Sequence, residues 1–469
     1  MNFSTIEFLF YFLPLFLLVY FLLPGKNIIL LIFSLFFYIW GEGLFIVLLL
    51  VLGIFNWIAG ILIGEYLKKY RRVALAMAIL LNLAALFYFK YIVFVLTSIN
   101  LIISKSLFPI PEVLLPIGVS FFTFHAISYL VDVYKKNFPP EKNLLDFMLY
   151  IAMFPQLIAG PIIRYATVRA EIKSRVVSLA DFSTGIKFFI VGLAQKILIA
   201  NTIAVPVDQI FKLNATDLEF SLAWLGAIGY TLQIYFDFNG YSNMAIGLAL
   251  IIGIRFPANF NYPYTALSIT DFWRKWHITL STWFRDYVYI PLGGNQKGKI
   301  RTFINLSVVF LLCGLWHGAS WTFAIWGVYH GLFLIIERTS FSKKLDKFPV
   351  EIKHLYVILV VIIGWVIFRS DTLTGAIQMY KAMLGFGESK GLEHHIGLYL
   401  QPDVVLAIIF GFIYSTAYPL SIFNKISSNF PLLSKLAPIF VVISLSALFI
   451  TSLSSISIGS YNPFIYFRF

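Results

Sequence analysis

The chain has 469 residues, of which 60% are hydrophobic and only 12% are charged, whereas about a quarter of the residues in a soluble domain are charged. This composition excludes an ordinary soluble protein and predicts a polytopic α-helical membrane protein. The net charge of +13 comes largely from basic residues in short loops between apolar runs. That pattern sets membrane topology and gives no reason to expect nucleic-acid binding.

The apolar runs predict eleven transmembrane helices within one membrane domain that covers residues 1–469. A run of about twenty residues is long enough to cross a bilayer core of about 30 Å as a helix. The runs lie near residues 7–23, 28–40, 43–64, 73–97, 113–134, 183–204, 221–254, 303–333, 354–370, 404–420 and 436–455. No cleavable signal sequence is expected. The positive-inside rule places the basic loops in the cytoplasm and the N-terminus outside.

Two irregular stretches interrupt this pattern. Residues 154–161 form a short apolar segment with two prolines, which is expected to enter the membrane without simply crossing it. Residues 255–301 are aromatic and basic. Irregular backbone at membrane depth needs protein or a water-filled cavity to satisfy its polar groups. Both stretches therefore predict re-entrant or interfacial helices around an internal cavity or funnel.

The second irregular stretch contains many of the residues with recognisable chemistry. Ser268 or Thr270 is expected to cap a helix that follows. With Thr270 as the cap, the apolar face of that helix consists of Trp273, Trp276, Leu280 and Phe284. Arg274, Lys275 and Arg285 then belong either to an amphipathic helix at the cytoplasmic interface or to the mouth of a cavity. In the second case they attract an anionic acyl donor or an acidic carrier protein.

The predicted span at 303–333 contains two related pentapeptides, GLWHG at 314–318 and GVYHG at 327–331. Glycines four residues apart let a neighbouring helix approach closely. The two histidines, His317 and His330, are thirteen residues apart, which places them on different faces of an unbroken helix. His330 is expected nearer the cytoplasmic end, close to Glu337, as an interface residue.

His317 is the strongest candidate for catalysis. It is an ionisable group in a strongly apolar segment, and such groups in membranes are functional candidates by default. An imidazole is also well suited to take a proton from a hydroxyl near neutral pH. On an unbroken helix His317 shares a face with Cys313 and Trp321, so that aromatic rings wall it from lipid.

Other polar groups in apolar runs have structural and functional interpretations. Asp237 is expected to accept hydrogen bonds from backbone groups, as a structural tie, or from an imidazole. His125 lies in a predicted span, where a buried histidine is more often a packing residue than a catalyst. A zinc site made from His277 and His317 lacks further ligands, because Cys313 is the only cysteine, so no metal is expected.

The ordered motifs between Tyr230 and His330 resemble those of the membrane-bound O-acyltransferase family. They are YTLQIYFDFNGYS at 230–242, FNYPY at 260–264, TDFWRKWH at 270–277, WFRDYVYIPLGG at 283–294 and GLWHGASW at 314–321, with a terminal FIYF at 464–467. The likeness is greatest to the bacterial branch that serves O-acetylation of alginate or peptidoglycan. It implies about eleven helices around a central funnel, with the core motifs at 230–331.

The resemblance also implies roles for individual residues. His317 is the expected catalytic base, which takes the proton of the acceptor hydroxyl as that hydroxyl attacks a thioester carbonyl. His277 is expected to orient the donor or to stabilise the developing oxyanion. The residues expected to bind the donor are Arg274, Lys275, Arg285, Trp316, Trp321 and Asp237. The expected donor is acetyl-coenzyme A or an acyl carrier protein, with no bound cofactor.

Members of this branch work in the bacterial inner membrane, in contact with membrane lipid. The resemblance therefore implies an extracytoplasmic acetyltransferase as a partner that completes the transfer to a polysaccharide. Three alternatives remain open from the residues. They are D-alanyl transfer to teichoic acid from a carrier protein, a transporter in which the histidines and Asp237 relay protons, and a scaffold for an envelope enzyme.

Overall fold

The computed structural model describes residues 2–387, 394–459 and 461–465, without the side chains of residues 431–434. Every regular element in these ranges is helical, which confirms the all-α prediction. Tyr466 and Phe467 of the terminal motif lie outside the described residues.

The described α-helices vary from one turn to 32 residues. They are Leu13–Leu22, Lys26–Glu42, Ile46–Ile61, Arg71–Leu86, Ile92–Ile103, Val119–Tyr134, Leu144–Ala152, Phe154–Leu157, Tyr165–Lys173, Leu179–Ala194, Thr202–Ile210, Phe220–Ile251, Ile269–Lys275, Ile278–Phe284, Lys299–His317, Trp321–Ile336, Phe341–Leu345, Val350–Arg369, Leu373–Met383, Pro402–Tyr414, Tyr418–Asn429 and Pro431–Ser457. Short π-helical stretches extend several of them, at Glu7–Phe12, Leu62–Tyr66, Phe87–Tyr91, Gln195–Asn201 and Arg285–Tyr289.

Several helical segments are long and apolar enough to cross a membrane. Within the described residues six pass this test: Lys26–Tyr66, Arg71–Ile103, Leu179–Ile210, Lys299–His317, Val350–Arg369 and Lys435–Ser457. A seventh is added if Pro402–Tyr414 and Tyr418–Asn429, bent by 68°, form one span. Shorter apolar helices occupy other predicted spans, at Glu7–Leu22, Val119–Tyr134 and Trp321–Ile336. The multi-span prediction is confirmed, while this test yields fewer spans than the eleven expected.

The predicted span at 303–333 is a hairpin of two helices, so the expectation of an unbroken helix is wrong. The first helix ends at His317, and Gly318 and Ser320 are extended, with ψ of 148° and 163°. Glycine is a poor helix former and serine is favoured just before a helix, which explains the break. The glycine prediction is confirmed, since a Cβ on Gly314 would lie 2.2 Å from the carbonyl oxygen of Phe323.

The chain forms two compact units. The first comprises Met1–Phe189 and Met244–Pro257, and the second comprises Ile190–Asn243 and Ala258–Phe469. All the residues expected to take part in catalysis or donor binding belong to the second unit. The single membrane domain and the central funnel stay predictions.

The first unit contains the irregular segment at 154–161. Phe154 and Gln156 are buried, the backbone N–H of Phe154 donates to Ser34 Oγ at 3.1 Å, and the Gln156 amide donates to the carbonyl of Tyr150. Protein groups thus satisfy this irregular backbone, as burial requires. His125 lies nearby, and its Nε2 accepts the N–H of Ile163 at 3.2 Å, which is a structural tie.

The second unit is organised around tryptophan rings. Trp326 and Trp365 stack with their ring centroids 5.8 Å apart. Trp276 lies 4.8 Å from Trp365, and Trp273 lies 5.6 Å from Trp326. These rings come from three segments that are far apart in sequence, and Trp326 also contacts both His317 and His330.

Candidate active site

His277 lies at a break between two short helices, Ile269–Lys275 and Ile278–Phe284. Its backbone has φ 42° and ψ 56°, a left-handed conformation that residues other than glycine rarely adopt. Ser268 caps the first helix by accepting the N–H of Asp271 at 3.0 Å. Of the two predicted caps, Ser268 is therefore confirmed and Thr270 is wrong, and the apolar face expected with Thr270 as the cap is interrupted at His277. The left-handed turn ends the helix and buries the His277 ring.

Asn259 holds His277 from the preceding loop. Its side-chain oxygen Oδ1 lies 3.0 Å from His277 Nδ1 and 2.9 Å from the hydroxyl of Thr279. Its backbone carbonyl accepts the N–H of Ile278 at 2.9 Å. Three consecutive residues, 277 to 279, are thus fastened to one asparagine. Sequence reasoning missed Asn259, because a neutral amide in a loop gives no distinctive signal.

His317 is the last residue of its helix and is only 4% exposed. Its ring contacts Trp316, Trp326 and Phe368, with centroids 5.0, 5.2 and 5.3 Å away. The His277 ring lies 6.4 Å from it. The structure therefore brings together two histidines that are forty residues apart in sequence, within an aromatic enclosure that includes Trp316.

A cavity of about 460 Å³ lies next to this enclosure. Phe368, which contacts the His317 ring, also lines the cavity, together with Phe323, Gln233 and Arg369. The Arg369 guanidinium is buried and pairs with Asp208 at 2.5 Å. The lining of the cavity therefore combines polar groups with an aromatic ring that contacts the candidate base.

The predicted donor-binding cations are either exposed or paired with a nearby carboxylate. Arg274 is exposed, Lys275 pairs with Asp271 at 2.9 Å within one helical turn, and Arg285 pairs with the adjacent Asp286 at 2.6 Å. Neighbouring carboxylates thus offset two of the three charges. Their proposed role in attracting a donor stays a prediction.

Trp321 also lies away from the predicted position. It begins the helix that follows the break, and its side chain is 54% exposed. The expectation that it shares a helix face with His317 is wrong, because the helix ends between them. The rings of Trp326 and Phe368 surround His317 instead.

Asp237 is a structural tie. Its carboxylate pairs with Lys196 at 2.5 Å, with both side chains buried, and it accepts the N–H of Ile465 at 2.9 Å. Lys196 also donates to the carbonyl of Pro463. The ion pair therefore fastens the C-terminal segment 461–465. The alternative of an imidazole partner is not seen in the described residues. Lys196 was a missed signal, since a lysine in an apolar run needs a partner.

His330 is fully buried, so the expectation of an interface residue is wrong. Its ring packs against Trp273, Trp326 and Tyr329, with centroids 5.0 to 5.2 Å away. A Cβ added at Gly364 would lie only 2.6 Å from the Nε2 of His330. The ring fills the space that this glycine leaves, which is a packing role.

Glu337, expected beside His330, has another function. Its carboxylate accepts the backbone N–H groups of Ile269 and Thr270 at 2.6 and 2.8 Å. A carboxylate stabilises a helix N-terminus through such bonds. Within the described ranges no three His, Cys, Asp or Glu residues are grouped as metal ligands, and the expected absence of a metal stays a prediction.

The fold and the site define a class: a multi-span helical membrane protein with two buried histidines beside a cavity. Residues 74–369 match the sequence model of the MBOAT, membrane-bound O-acyltransferase family. The chain belongs to this family and is an O-acyltransferase, which confirms the resemblance of the motifs. Membership in an enzyme family also removes the alternatives of a transporter and a scaffold.

Three relatives show which reactions occur in similar proteins. The chain is 40% identical to the probable alginate O-acetylase of Azotobacter vinelandii, over 100% of both chains. It is 38% identical to the peptidoglycan O-acetyltransferase of Helicobacter pylori, over 82% of this chain and 80% of that one. It is 32% identical to the teichoic acid D-alanyltransferase of Bacillus subtilis, over 46% of this chain and 58% of that one.

Proposed function

We propose that this enzyme moves an acetyl group from a cytoplasmic thioester, acetyl-coenzyme A, across the inner membrane for the O-acetylation of a cell-envelope or exported polysaccharide. The observation that carries the proposal is the pair of buried histidines, His277 and His317, with rings 6.4 Å apart beside a cavity. Two relatives named for O-acetylation, of alginate and of peptidoglycan, support acetyl as the group transferred.

In this reaction His317 acts as the general base. It takes the proton of the acceptor hydroxyl as the oxygen attacks the thioester carbonyl. A tetrahedral intermediate forms, the C–S bond breaks, and His317 returns the proton to the leaving thiolate. The aromatic rings around His317 exclude water, so the ester product forms in preference to hydrolysis of the thioester.

The direction of the helix that ends at His317 supports an acceptor that reaches the site from the outer face of the membrane. The helix Lys299–His317 has 19 residues and is therefore about 28 Å long, close to the thickness of a bilayer core. It begins in the basic stretch that the positive-inside rule places in the cytoplasm. His317 is then at the opposite end of the helix from Lys299, and the chain has its N-terminus outside.

The same orientation applies to Arg369 beside the cavity. It ends the helix Val350–Arg369, which follows the basic residues at 343–347. Both His317 and the cavity then lie toward the extracytoplasmic side of the bacterial inner membrane. An extracytoplasmic acetyltransferase that carries the acetyl group to the polysaccharide would be the partner at this face.

D-alanyl transfer to teichoic acid is the second candidate. The observation in its favour is the relative from Bacillus subtilis, which is named for that reaction. Its match covers less than half of this chain, whereas the matches to the two O-acetylating relatives cover at least 82%.

Reconstituted proteoliposomes distinguish the two donors. Purified enzyme is supplied on the basic-loop side with either labelled acetyl-coenzyme A or a carrier protein charged with labelled D-alanine. We expect label to reach an acceptor hydroxyl only from acetyl-coenzyme A. Transfer only from the D-alanyl carrier would overturn the proposal. Enzyme with His317→Gln is the background control for each donor.

A further inference from the structure

The Asn259 side chain is buried, and its neighbours fix which of its atoms is the oxygen. The amide nitrogen Nδ2 donates to Ser242 Oγ at 3.0 Å. On the other side, Oδ1 accepts the hydroxyl of Thr279 at 2.9 Å and the backbone N–H of Thr279 at 3.4 Å. A backbone N–H only donates. The atom that faces Thr279 must therefore be the oxygen.

The orientation of Asn259 determines where His277 carries its proton. His277 Nδ1 lies 3.0 Å from the same oxygen. A carboxamide oxygen has no hydrogen to donate, so the proton of this hydrogen bond belongs to Nδ1. In a neutral imidazole the other nitrogen, Nε2, then carries a lone pair and accepts hydrogen bonds.

The rest of the surroundings keep this ring in place. The Phe238 ring meets the His277 ring edge-on at 4.6 Å, and the imidazole is fully buried. Its Nε2 has no hydrogen-bond partner in the part of the chain that the structure describes. The His317 ring is 6.4 Å away. A buried acceptor at this position is therefore available to a substrate group that enters beside His317.

We infer that Asn259 is a positioning residue that holds His277 with its proton on Nδ1, so that Nε2 accepts a hydrogen bond from an N–H or O–H group of a substrate. This inference rests on the proposed function, and it chooses between the two roles expected for His277. A neutral imidazole with a bare Nε2 orients a substrate. It cannot donate a hydrogen bond to an oxyanion.

The tautomer is measured directly by nitrogen NMR on protein labelled with ¹⁵N-histidine in lipid nanodiscs. The His277 signals are identified by their loss in His277→Gln. We expect a protonated Nδ1 and an unprotonated Nε2 in the wild-type enzyme. A protonated Nε2 with a bare Nδ1, or an even mixture of the two, would overturn the inference. The spectrum needs no acyl transfer, so its outcome is separate from that of the proposed function.

Three variants test the role of Asn259. Asn259→Leu removes the acceptor and is expected to mix the two tautomers and lower acyl transfer about tenfold to a hundredfold. Asn259→Asp keeps an oxygen opposite Nδ1 and is expected to preserve the tautomer and restore most of the rate. Asn261→Leu, at an exposed asparagine two residues away, is the matched control and should leave both unchanged.

The kinetic constants identify the substrate that His277 contacts. A raised KM for acetyl-coenzyme A in Asn259→Leu assigns the contact to the donor, and a raised KM for the acceptor assigns it to the hydroxyl substrate. If Asn259→Leu does not accumulate in the membrane, Asn259→Asp carries the test. Loss of the Nδ1 proton signal in Asn259→Asp near neutral pH would contradict the inference.

Discussion

His317 and His330 lie in related pentapeptides, yet they have different surroundings. His317 ends a helix, lies 6.4 Å from the His277 ring and contacts Phe368, which lines a cavity. His330 lies inside a helix, packed among aromatic rings and against Gly364. A local motif with the same chemistry therefore gives a candidate catalyst at a helix end and a packing residue within a helix.

The two histidines also contact the same tryptophan ring. The ring of Trp326 lies 5.2 Å from His317 and 5.1 Å from His330, so one tryptophan separates the candidate catalytic space from the packed one. Gly318 ends its helix, whereas Gly331 lies within the helix that continues to Ile336. The position of the helix break decides which histidine lies beside the cavity.

The largest effect on stability is expected from loss of the ion pair between Lys196 and Asp237, which holds the C-terminal segment 461–465 in place. Asp237→Leu leaves Lys196 buried without its carboxylate and is expected to lower the free energy of unfolding by about 3–5 kcal/mol. The loss is measured by denaturant unfolding in detergent micelles. Asp181→Asn removes an exposed pair with Arg255 and, as the matched control, should cause no measurable loss. Equal stability of Asp237→Leu and wild type would contradict the structural role.

A smaller loss of stability is expected from a substitution that overpacks the surroundings of His330. Gly364→Ala places a Cβ 2.6 Å from His330 Nε2 and is expected to destabilise the protein by about 1–3 kcal/mol. Acyl transfer per folded molecule should stay at the wild-type level, since His330 only packs. Gly375→Ala, where the nearest atom is 3.3 Å away in the Thr372 hydroxyl, is the control. A loss of transfer without a loss of stability would make His330 more than a packing residue.

The smallest effect is expected on the KM for the donor, from removal of the exposed charge of Arg274. Arg274→Gln is expected to raise the KM for an anionic donor about twofold at low ionic strength and to have no effect at high salt, because salt screens exposed charges. Arg285→Gln is the comparison, since Asp286 offsets its charge, and it should change KM less. An unchanged KM in both variants would leave the amphipathic interfacial helix as the role of these residues.

Composition and apolar runs predict the helical membrane fold because each helix must satisfy its own backbone in lipid. They do not predict the hairpin, since the segment between His317 and Trp321 is only three residues long and carries no charge. His317 was predictable as an isolated ionisable group. Its contact with Phe368 was not, because only tertiary packing brings together residues 51 positions apart.

The role of Asp237 shows the same limit. Its burial in an apolar run was visible in the sequence, but the choice between a structural tie and an imidazole partner depended on Lys196 and on Ile465, 228 residues away. Asn259 was missed for the opposite reason, because a neutral amide in a loop has no distinctive signal. Its importance comes from the four groups that it contacts.

The central claim is that His317, and not His330 in the related pentapeptide, is the base for acyl transfer. The direct test is the rate of acetyl transfer per folded molecule in His317→Gln and His330→Gln, each quantified in the membrane. We predict that His317→Gln lowers the rate by about 10²–10⁴-fold, while His330→Gln stays within about threefold of wild type once its stability loss is accounted for. A wild-type rate in His317→Gln, or an equal loss in both variants, would contradict the assignment.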